Sequence, residues 1–489
     1  MQRNDSDPHG ARLPIKIDTT SNGEFAPVAL SRANVLGNRL AHERVGELAR
    51  RSGMKRRDFL MSSCGAASAL LAFNAAHAAA GAHGGFFDVP AEAVFDAQLA
   101  SAAVDGNEFV FDVQGHYVDP TGAWLKQLPA SARPFSEMPN AGCGLGSGTD
   151  RGYLECLGAR EFVKDVFLDS DTDMMVLSFV PSAPDAEPLT IEAADATRRI
   201  VDELEGTQRL MLHGRVNPNQ PGDLERMDAL ATQWDICAWK TYTQFGPGGR
   251  GYFLSDEPGL AMIEKARALG IKVVCVHKGL PFGPQSYEHS QCSDIGKVAK
   301  QYPDVAFIVY HSGFVAGNAE LAYDHAARRD GIDTLVRSLL DNGIAPNSNV
   351  YAELGSTWRF LMRDPDSAAH ALGKLFKYVG QDNVLWGTDS IWYGSPQDQI
   401  QAFRTFQIAE PLRETNGYSE ITAALRAKVF GYNATVPYKI SPEEVKVRRS
   451  ADKITRARTA YRDQRNPTYL TYGPKTRREF FNLLRNAPA

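Results

Sequence analysis

The 489-residue sequence has little of three things: long apolar runs, an excess of one charge, and regularly spaced cysteines. A formal net charge of -5 does not suggest a nucleic-acid partner. The most apolar stretch, residues 66–80, is interrupted by Asn74 and His77 and is shorter than the roughly 20 residues that a spanning helix needs. The six cysteines do not predict a disulfide framework, although Cys143 and Cys156 could form one bridge after export.

A nucleotide-phosphate loop is also missing. The glycine-rich stretch GLGSG, residues 144–148, follows no apolar strand and lacks the lysine and the following Ser/Thr that hold phosphates. It belongs to a long connection from Tyr117 to about Ser170. We interpret this connection as a loop or lid over an active site, where it would help to set specificity.

What the sequence does contain is a regular alternation of apolar runs with amphipathic helical stretches over residues 105–440. This alternation predicts a parallel sheet covered on both faces, and eight strand-like runs favour a closed (β/α)8 TIM barrel over an open doubly wound sheet. The eight runs are Phe109–Gln114, Met174–Val180, Leu210–Val216, Ile236–Tyr242, Ile271–His277, Val305–His311, Asn349–Leu354 and Val384–Asp389.

The N-terminal stretch resembles an export signal. Residues 54–80 begin with the pair Arg56-Arg57, continue through a short apolar core and end in Ala-His-Ala, which is typical of a twin-arginine-type signal peptide. The sequence therefore predicts a periplasmic or exported protein that meets the export machinery. Residues 1–53 precede this signal, and we expect them to be untranslated or disordered. Residues 441–489 form a basic extension with interleaved aromatic residues, which predicts packing against the barrel or a second subunit, as in a homodimer.

Four strand ends carry residues suited to metal chemistry. His116 closes the first run after Gln114, His277 closes the fifth, His311 the sixth and Asp389 the eighth. The C-terminal ends of barrel strands meet at one mouth, where active sites are built. Two imidazoles and a carboxylate there suit one divalent ion, with zinc favoured and manganese or iron as alternatives. The fourth residue, His311, has an ordinary pKa near neutrality and is our candidate for proton transfer.

The segments that carry these residues resemble the amidohydrolase superfamily. Similarity extends over the stretches DVQGH, VHKG, YHSG and WGTDS, and it is strongest to the group of aminocarboxymuconate-semialdehyde and resorcylate-type decarboxylases. The resemblance implies His116, His277 and Asp389 as metal ligands and His311 as the acid/base residue. It also shows one departure, because these relatives begin with His-x-His or Glu-x-His. The neutral amide of Gln114 is a weaker ligand, so we include it only as an additional one.

The substrate is expected to be a small molecule. Lys240 on the fourth strand and Arg215 on the third are candidates for binding a substrate anion; Lys240 could alternatively pair with Glu353. The leading expectation is a hydrolase in which activated water cleaves an ester, lactone or amide, with Asp389 and His311 handling protons. One alternative is a non-oxidative decarboxylase of an aromatic or unsaturated acid. A further alternative is a barrel that has lost catalysis and serves as a binding protein.

Overall fold

The structure is a computed structural model that describes residues 7, 9–124, 153–183, 186–205, 208–281, 285–449, 453–463 and 465–480. Much of the expected lid between Tyr117 and Ser170, and Cys143 within it, lies outside these residues. Cys156 is disulfide-bonded.

Eight parallel strands form the barrel in chain order, each hydrogen-bonded to the next, as the sequence predicted. The ring closes where Val113 donates its backbone N–H to Trp386 (3.0 Å) and Gly115 pairs with Ser390. A separate antiparallel pair, β1 and β10, lies outside the barrel. The strands are β1 (Gly85–Phe87), β2 (Phe111–Gly115), β3 (Met174–Leu177), β4 (Leu210–Arg215), β5 (Ala238–Tyr242), β6 (Val273–His277), β7 (Ala306–Tyr310), β8 (Val350–Glu353), β9 (Val384–Leu385) and β10 (Phe406–Ile408).

Alternate residues of the barrel strands form two separate layers of buried side chains. Val113, Cys275 and Ile308 belong to an inner cluster, whereas Val274 and Phe307 belong to the outer cluster that the helices cover. The α-helices of the described residues are α1 (Arg32–Arg51), α2 (Arg56–Leu60), α3 (Ser63–Ala79), α4 (Ala97–Val104), α5 (Ala159–Val163), α6 (Ile191–Glu205), α7 (Asp223–Gln233), α8 (Glu257–Ala268), α9 (Ile295–Gln301), α10 (Ile332–Asn342), α11 (Thr357–Leu361), α12 (Pro365–Lys374), α13 (Gln397–Thr405), α14 (Glu410–Asn416), α15 (Ala423–Ala427), α16 (Asn433–Thr435), α17 (Pro442–Arg449) and α18 (Lys453–Arg462).

The N-terminal region departs from expectation. Instead of disorder, residues 9–53 follow a defined course: the segment 13–25 enters the barrel mouth with Ile15 fully buried, and α1 follows, capped by Ser31. The expected signal contributes α2 and α3, and α3 packs against α1, where Phe73 lies against Gly37 and His77 Nε2 is 3.0 Å from Asn34 Oδ1. Disorder is excluded here because the segment buries apolar side chains that an unstructured chain would leave in water.

The C-terminal extension packs against the barrel, which is one of the two arrangements that its sequence predicts. The Tyr472 hydroxyl donates to Asp165 (2.8 Å), and Leu470 is buried in the outer cluster. Within the part of the chain that the structure describes, no helix combines the length and the apolar character needed to cross a bilayer.

Candidate metal centre

The predicted site residues meet at the C-terminal mouth of the barrel. Gln114 lies on β2 with His116 just beyond it, His277 ends β6, and His311 and Asp389 follow β7 and β9. All five side chains are buried. His311 (φ 65°) and Asp389 (φ 61°) adopt the left-handed conformation, which is costly for residues with a Cβ and clusters at functional sites.

Each of the three histidines uses one ring nitrogen to bond a backbone carbonyl. The contacts are His116 Nδ1 to Ser178 (3.0 Å), His311 Nδ1 to Gly355 (2.6 Å) and His277 Nε2 to Leu280 (3.4 Å). A carbonyl oxygen only accepts, so these nitrogens carry the protons. Burial lowers the pKa of His311 to about 4 and that of His277 well below its ordinary value, so both rings are neutral. Their second nitrogens keep a lone pair, which is how a protein prepares imidazoles to bind a metal.

Asp389 is surrounded by donors. Its carboxylate accepts from Ser356 Oγ (2.5 Å), Asn22 Nδ2 (2.9 Å) and Gln114 Nε2 (3.2 Å), and it lies 3.0 Å from His116 Nε2. Burial acts to raise the pKa of Asp389, but the hydrogen bond and charge of His116 outweigh it and hold the pKa below its ordinary value. The carboxylate is therefore fully ionised, which favours a ligand over a proton acceptor.

A second carboxylate, Glu24, enters the site from the N-terminal segment. Its Oε1 lies 3.7 Å from His277 Nδ1, and one ligand atom from each of Glu24, His277 and His311 lies within 4.8 Å of the others. Asn22 Nδ2 donates to Glu24 Oε2 (2.5 Å) as well as to Asp389, so one amide nitrogen joins the two carboxylates.

A divalent cation fits these groups. His116 Nε2 and Asp389 Oδ1 face each other at 3.0 Å, while His116 Nδ1 donates to the carbonyl of Ser178. A positive charge holds the first two atoms together, and it is supplied either by a second proton on His116 or by a cation between them. The amide nitrogen of Gln114 faces this centre, since Nε2 lies 3.2 Å from Asp389 Oδ1 and 3.4 Å from both His116 Nε2 and His311 Nε2. Its Oε1 lies beside Gly355 and Glu353, so the structure does not add it to the ligands. Imidazole nitrogens with carboxylate oxygens form a donor set typical of zinc, manganese or iron sites.

The two residues proposed for anion binding have different surroundings. Lys240 is fully buried, with its Nζ 3.4 Å from the centre of the Tyr310 ring and without a hydrogen-bond partner in the described structure. Burial lowers its pKa to about 8. In contrast, Arg215 donates to Glu187 (2.7 Å) and Asp223 (3.1 Å). These two carboxylates balance the charge of Arg215 and hold it at the end of β4, and its role in binding a substrate anion stays a prediction.

Glu353 supports the site from β8. Its carboxylate accepts the backbone N–H groups of His311 (3.0 Å) and Gly355 (2.5 Å), and burial raises its pKa to about 8. No direct ion pair joins Glu353 to Lys240 in the described structure, so the expected pairing is replaced by backbone contacts that position His311.

A cavity of about 380 Å³ opens beside these candidate ligand residues. Its polar end is formed by His116, Asp389 and Glu24, and most of its remaining wall is apolar, with Trp124, Leu157 and Trp392 among the lining residues. Trp392 stacks on the His116 ring at 5.8 Å between centroids. The cavity therefore suits a largely apolar molecule whose polar end reaches the histidine and the two carboxylates.

Sequence reasoning missed Glu24, Asn22 and Ser356. The stretch SNGEF that carries Asn22 and Glu24 has no periodic pattern and precedes a signal-like segment, so no rule of spacing connects it to the barrel. Ser356 lies shortly after β8, and a polar residue near the end of a barrel strand could have been predicted to belong to the site.

Comparison with known proteins adds a family and a fold. The model of a family described as amidohydrolase matches residues 159–440. Among solved structures, the chain is similar to a 5-carboxyvanillate decarboxylase from Novosphingobium aromaticivorans complexed with manganese and a nitrobenzoic acid (14% identity, 68% of this chain, 96% of that chain, TM-score 0.42). It is also similar to a 2,6-dihydroxybenzoate decarboxylase from Rhizobium (13% identity, 68% and 99%, TM-score 0.38). A third similar structure is an amidohydrolase from Burkholderia multivorans with bound zinc (14% identity, 68% and 99%, TM-score 0.41). No curated protein matches the chain.

These comparisons correct the leading functional expectation. We expected a hydrolase, but several of the similar solved structures are named as decarboxylases, which agrees with the alternative expectation of a carboxy-lyase. At these identities the structural similarities concern the fold alone, and the reaction depends on the residues of this site.

Proposed function

The chain belongs to the amidohydrolase family, and on that premise we propose that it is a non-oxidative, metal-dependent decarboxylase of an aromatic or unsaturated carboxylic acid. The observation that carries the proposal is the common orientation of His116, His277 and His311. Each ring is fixed by a backbone carbonyl and presents its unprotonated nitrogen to one centre beside Asp389. We assign His116, His277 and Asp389 as ligands of one divalent ion, zinc or manganese in first place.

The surroundings of Asp389 favour decarboxylation over hydrolysis. A hydrolase needs a base that takes a proton from the attacking water, and that base works best with a pKa near the operating pH. Asp389 is bonded to Ser356, Asn22 and Gln114, and its pKa is held below the ordinary value. It is therefore a weak base. Decarboxylation requires no activated water, because the reaction replaces a carboxylate by a proton.

The site can orient such a substrate. A bound divalent ion would supply the positive charge that holds the carboxylate and a neighbouring oxygen of the substrate. The ring would lie in the apolar part of the cavity, beside Trp392 and Leu157. Lys240 lies beneath the ligand residues, where its charge contributes to the lowered pKa values of His277 and His311. We assign it a supporting electrostatic role.

His311 is our candidate for proton transfer. Its Nδ1 proton is bonded to Gly355, so Nε2 is the nitrogen that can exchange a proton with the substrate. Burial lowers the pKa of His311 to about 4, so this base needs the more acidic hydroxyl that a substrate oxygen held by a divalent ion would have. Nε2 takes that proton and returns it to the adjacent ring carbon. The bond between that carbon and the carboxylate then breaks. Its electron pair stays on the ring and carbon dioxide leaves, so the reaction is balanced without an oxidant.

The experiment is product analysis in D2O with 2,6-dihydroxybenzoate and 5-carboxyvanillate as probes. We expect carbon dioxide and one deuterium at the carbon that lost the carboxylate, and neither in the His277→Ala variant. Hydrolysis of an ester or lactone probe such as dihydrocoumarin, with no carbon dioxide from either acid, would overturn the proposal.

Export to the periplasm through the twin-arginine-type signal and assembly as a homodimer stay predictions. Support for export comes from the sequence pattern of residues 54–80. In the structure, Arg56 donates to the carbonyls of Gly10 (2.8 Å) and His42 (3.0 Å), and Arg57 donates to Asp7 (2.8 Å). An export receptor would have to displace these contacts.

A further inference from the structure

We propose that residues 13–25 are a constituent of the active site and that Glu24 is a metal ligand, replacing the charged first-strand ligand that Gln114 does not provide. The inference concerns the same metal centre as the proposed function and rests on it. It assigns to the N-terminal segment a role that its sequence did not indicate.

The segment is anchored in the barrel by a buried lysine. Lys16 Nζ donates to the carbonyls of Tyr393 (2.7 Å) and Ser395 (2.6 Å) and lies 3.4 Å from Asp398. The Lys16 backbone N–H also donates to Asp398 (3.1 Å). All of these partners follow β9, the strand that leads to Asp389. Such a contact set fixes the segment relative to the ligand-bearing strand end.

A second anchor lies closer to Glu24. Asp18 accepts from Arg359 (2.8 Å) and from Thr471 Oγ1 (2.8 Å), which joins the segment to α11 and to the C-terminal extension. Phe25, the residue after Glu24, packs edge-on against Phe360 with ring centroids 4.7 Å apart. Glu24 is therefore held on both sides along the chain.

A tight turn aims Glu24 into the site. Ser21 Oγ accepts the N–H of Gly23 (2.9 Å), and Asn22 Oδ1 accepts the N–H of Glu24 (3.0 Å). Gly23 has a positive φ of 94°, which only glycine adopts without strain. With the backbone fixed in this way, Glu24 Oε1 reaches 3.7 Å from His277 Nδ1.

The charges favour a ligand at this position. Glu24 and Asp389 are bonded to the same amide nitrogen of Asn22, and two carboxylates so close repel in a buried site. A divalent cation would balance both charges. Gln114 turns its amide nitrogen to the same centre, at 3.2 Å from Asp389 and 3.4 Å from His311, and so presents a donor there and no ligand atom. The carboxylates of Glu24 and Asp389 are therefore the oxygen ligands that these side chains offer.

The segment forms a wall and does not block the site. Asn22, Gly23 and Glu24 line the 380 Å³ cavity together with His116 and Trp392, and that volume stays open with the segment in place. A blocking peptide would fill this space. Cleavage after residue 80 would remove Glu24, so the inference applies to a chain that keeps its N-terminal segment.

The test is metal binding by the full chain. Wild type, Glu24→Gln and Glu43→Gln are purified, and manganese and zinc stoichiometry and affinity are measured by elemental analysis and competition with a chelator. Glu43 is the matched control because its side chain is exposed on α1. We expect Glu24→Gln to weaken metal affinity by at least about 100-fold. Loss of a residue that only orients a ligand weakens metal affinity by about 10- to 100-fold, so a larger loss indicates a direct ligand. The control is expected to match wild type.

A second variant removes the ambiguity of misfolding. Gln114→Glu restores a charged residue on β2, and the double variant Glu24→Gln/Gln114→Glu is expected to recover most of the lost affinity. Equal affinity of wild type and Glu24→Gln overturns the inference and leaves the proposed function intact. Absence of metal binding in wild type overturns both. A metal-loaded native protein whose mass shows that residues 1–80 have been removed also overturns the inference.

Discussion

His116 Nε2 lies 3.0 Å from Asp389 Oδ1, and His116 Nδ1 donates to the carbonyl of Ser178. One ring thus joins the carboxylate at the barrel mouth to the backbone that follows β3. In a metal centre the ion would take the place of a proton between Nε2 and the carboxylate, and the Nδ1 contact keeps the ring in position to bind it.

Removing a ligand is expected to remove the metal. His277→Ala and Asp389→Asn should each reduce bound metal to a small fraction of the wild-type stoichiometry, because each deletes a donor that the other residues cannot replace. Elemental analysis of the purified proteins checks this. His325→Ala is the control, since that histidine is exposed. Full metal occupancy in both ligand variants would show that the centre is misplaced.

Loss of His311 is expected to separate binding from turnover. His311→Ala should retain more than half of the wild-type metal and lose roughly 100-fold or more in kcat, the range for a general acid/base residue. Metal analysis and steady-state kinetics on the same preparation measure both. Loss of metal together with activity would instead make His311 a ligand.

The anchor of the N-terminal segment should affect stability. Lys16→Met removes the two hydrogen bonds that the charged Lys16 Nζ donates and its ion pair with Asp398. Asp398 is still paired with Arg359 at 3.3 Å in this variant. We expect the free energy of unfolding to fall by about 2–4 kcal/mol. Denaturant titration measures it, with Lys55→Met, an exposed residue, as the control. Equal stability of both variants would mean that the segment is not held by Lys16.

The neutral state of His311 should make the metal-free protein sensitive to acid. Burial lowers the pKa of His311 from 6.5 to about 4, so the folded protein binds fewer protons than the unfolded chain between these values. Stability should therefore fall as the pH drops from about 6.5 to 4. Glu353, whose pKa burial raises to about 8, acts with the opposite sign, since its contribution is lost as the pH rises from about 4.5 to 8.

Comparison with His311→Gln isolates the histidine from Glu353. Denaturation in the presence of a chelator should show a smaller loss of stability on acidification in the variant than in wild type. Identical pH dependence of the two proteins would show that folding does not shift the pKa of His311.

The barrel and most of its site could be predicted from the sequence. Each of the eight apolar runs became a strand, and the runs that end in His277 and Asp389 were informative because strand ends in a parallel barrel converge whatever their separation along the chain. The observed strands are shorter than the predicted runs. The eighth barrel strand, β9, ends at Leu385, whereas the eighth run extends to Asp389. The apolar pattern continues into the turns that bury Trp386 and Thr388.

Glu24 and Arg215 mark the limits of that prediction. Glu24 reaches the site through tertiary contacts of a segment without regular structure, and no periodicity reports such contacts. Arg215 lies at a strand end like the residues of the proposed metal centre, but its charge is balanced by Glu187 and Asp223, whose positions in the sequence follow no pattern that predicts these contacts. Charge balance inside the barrel is a property of packing and had to be read from the structure.

The most direct test of the metal centre is anomalous diffraction from crystals of the full chain grown with manganese. We predict one strong peak about 2.0–2.3 Å from His116 Nε2, His277 Nδ1 and carboxylate oxygens of Asp389 and Glu24. A barrel mouth without a peak, or a peak that these four side chains do not reach, would contradict the account.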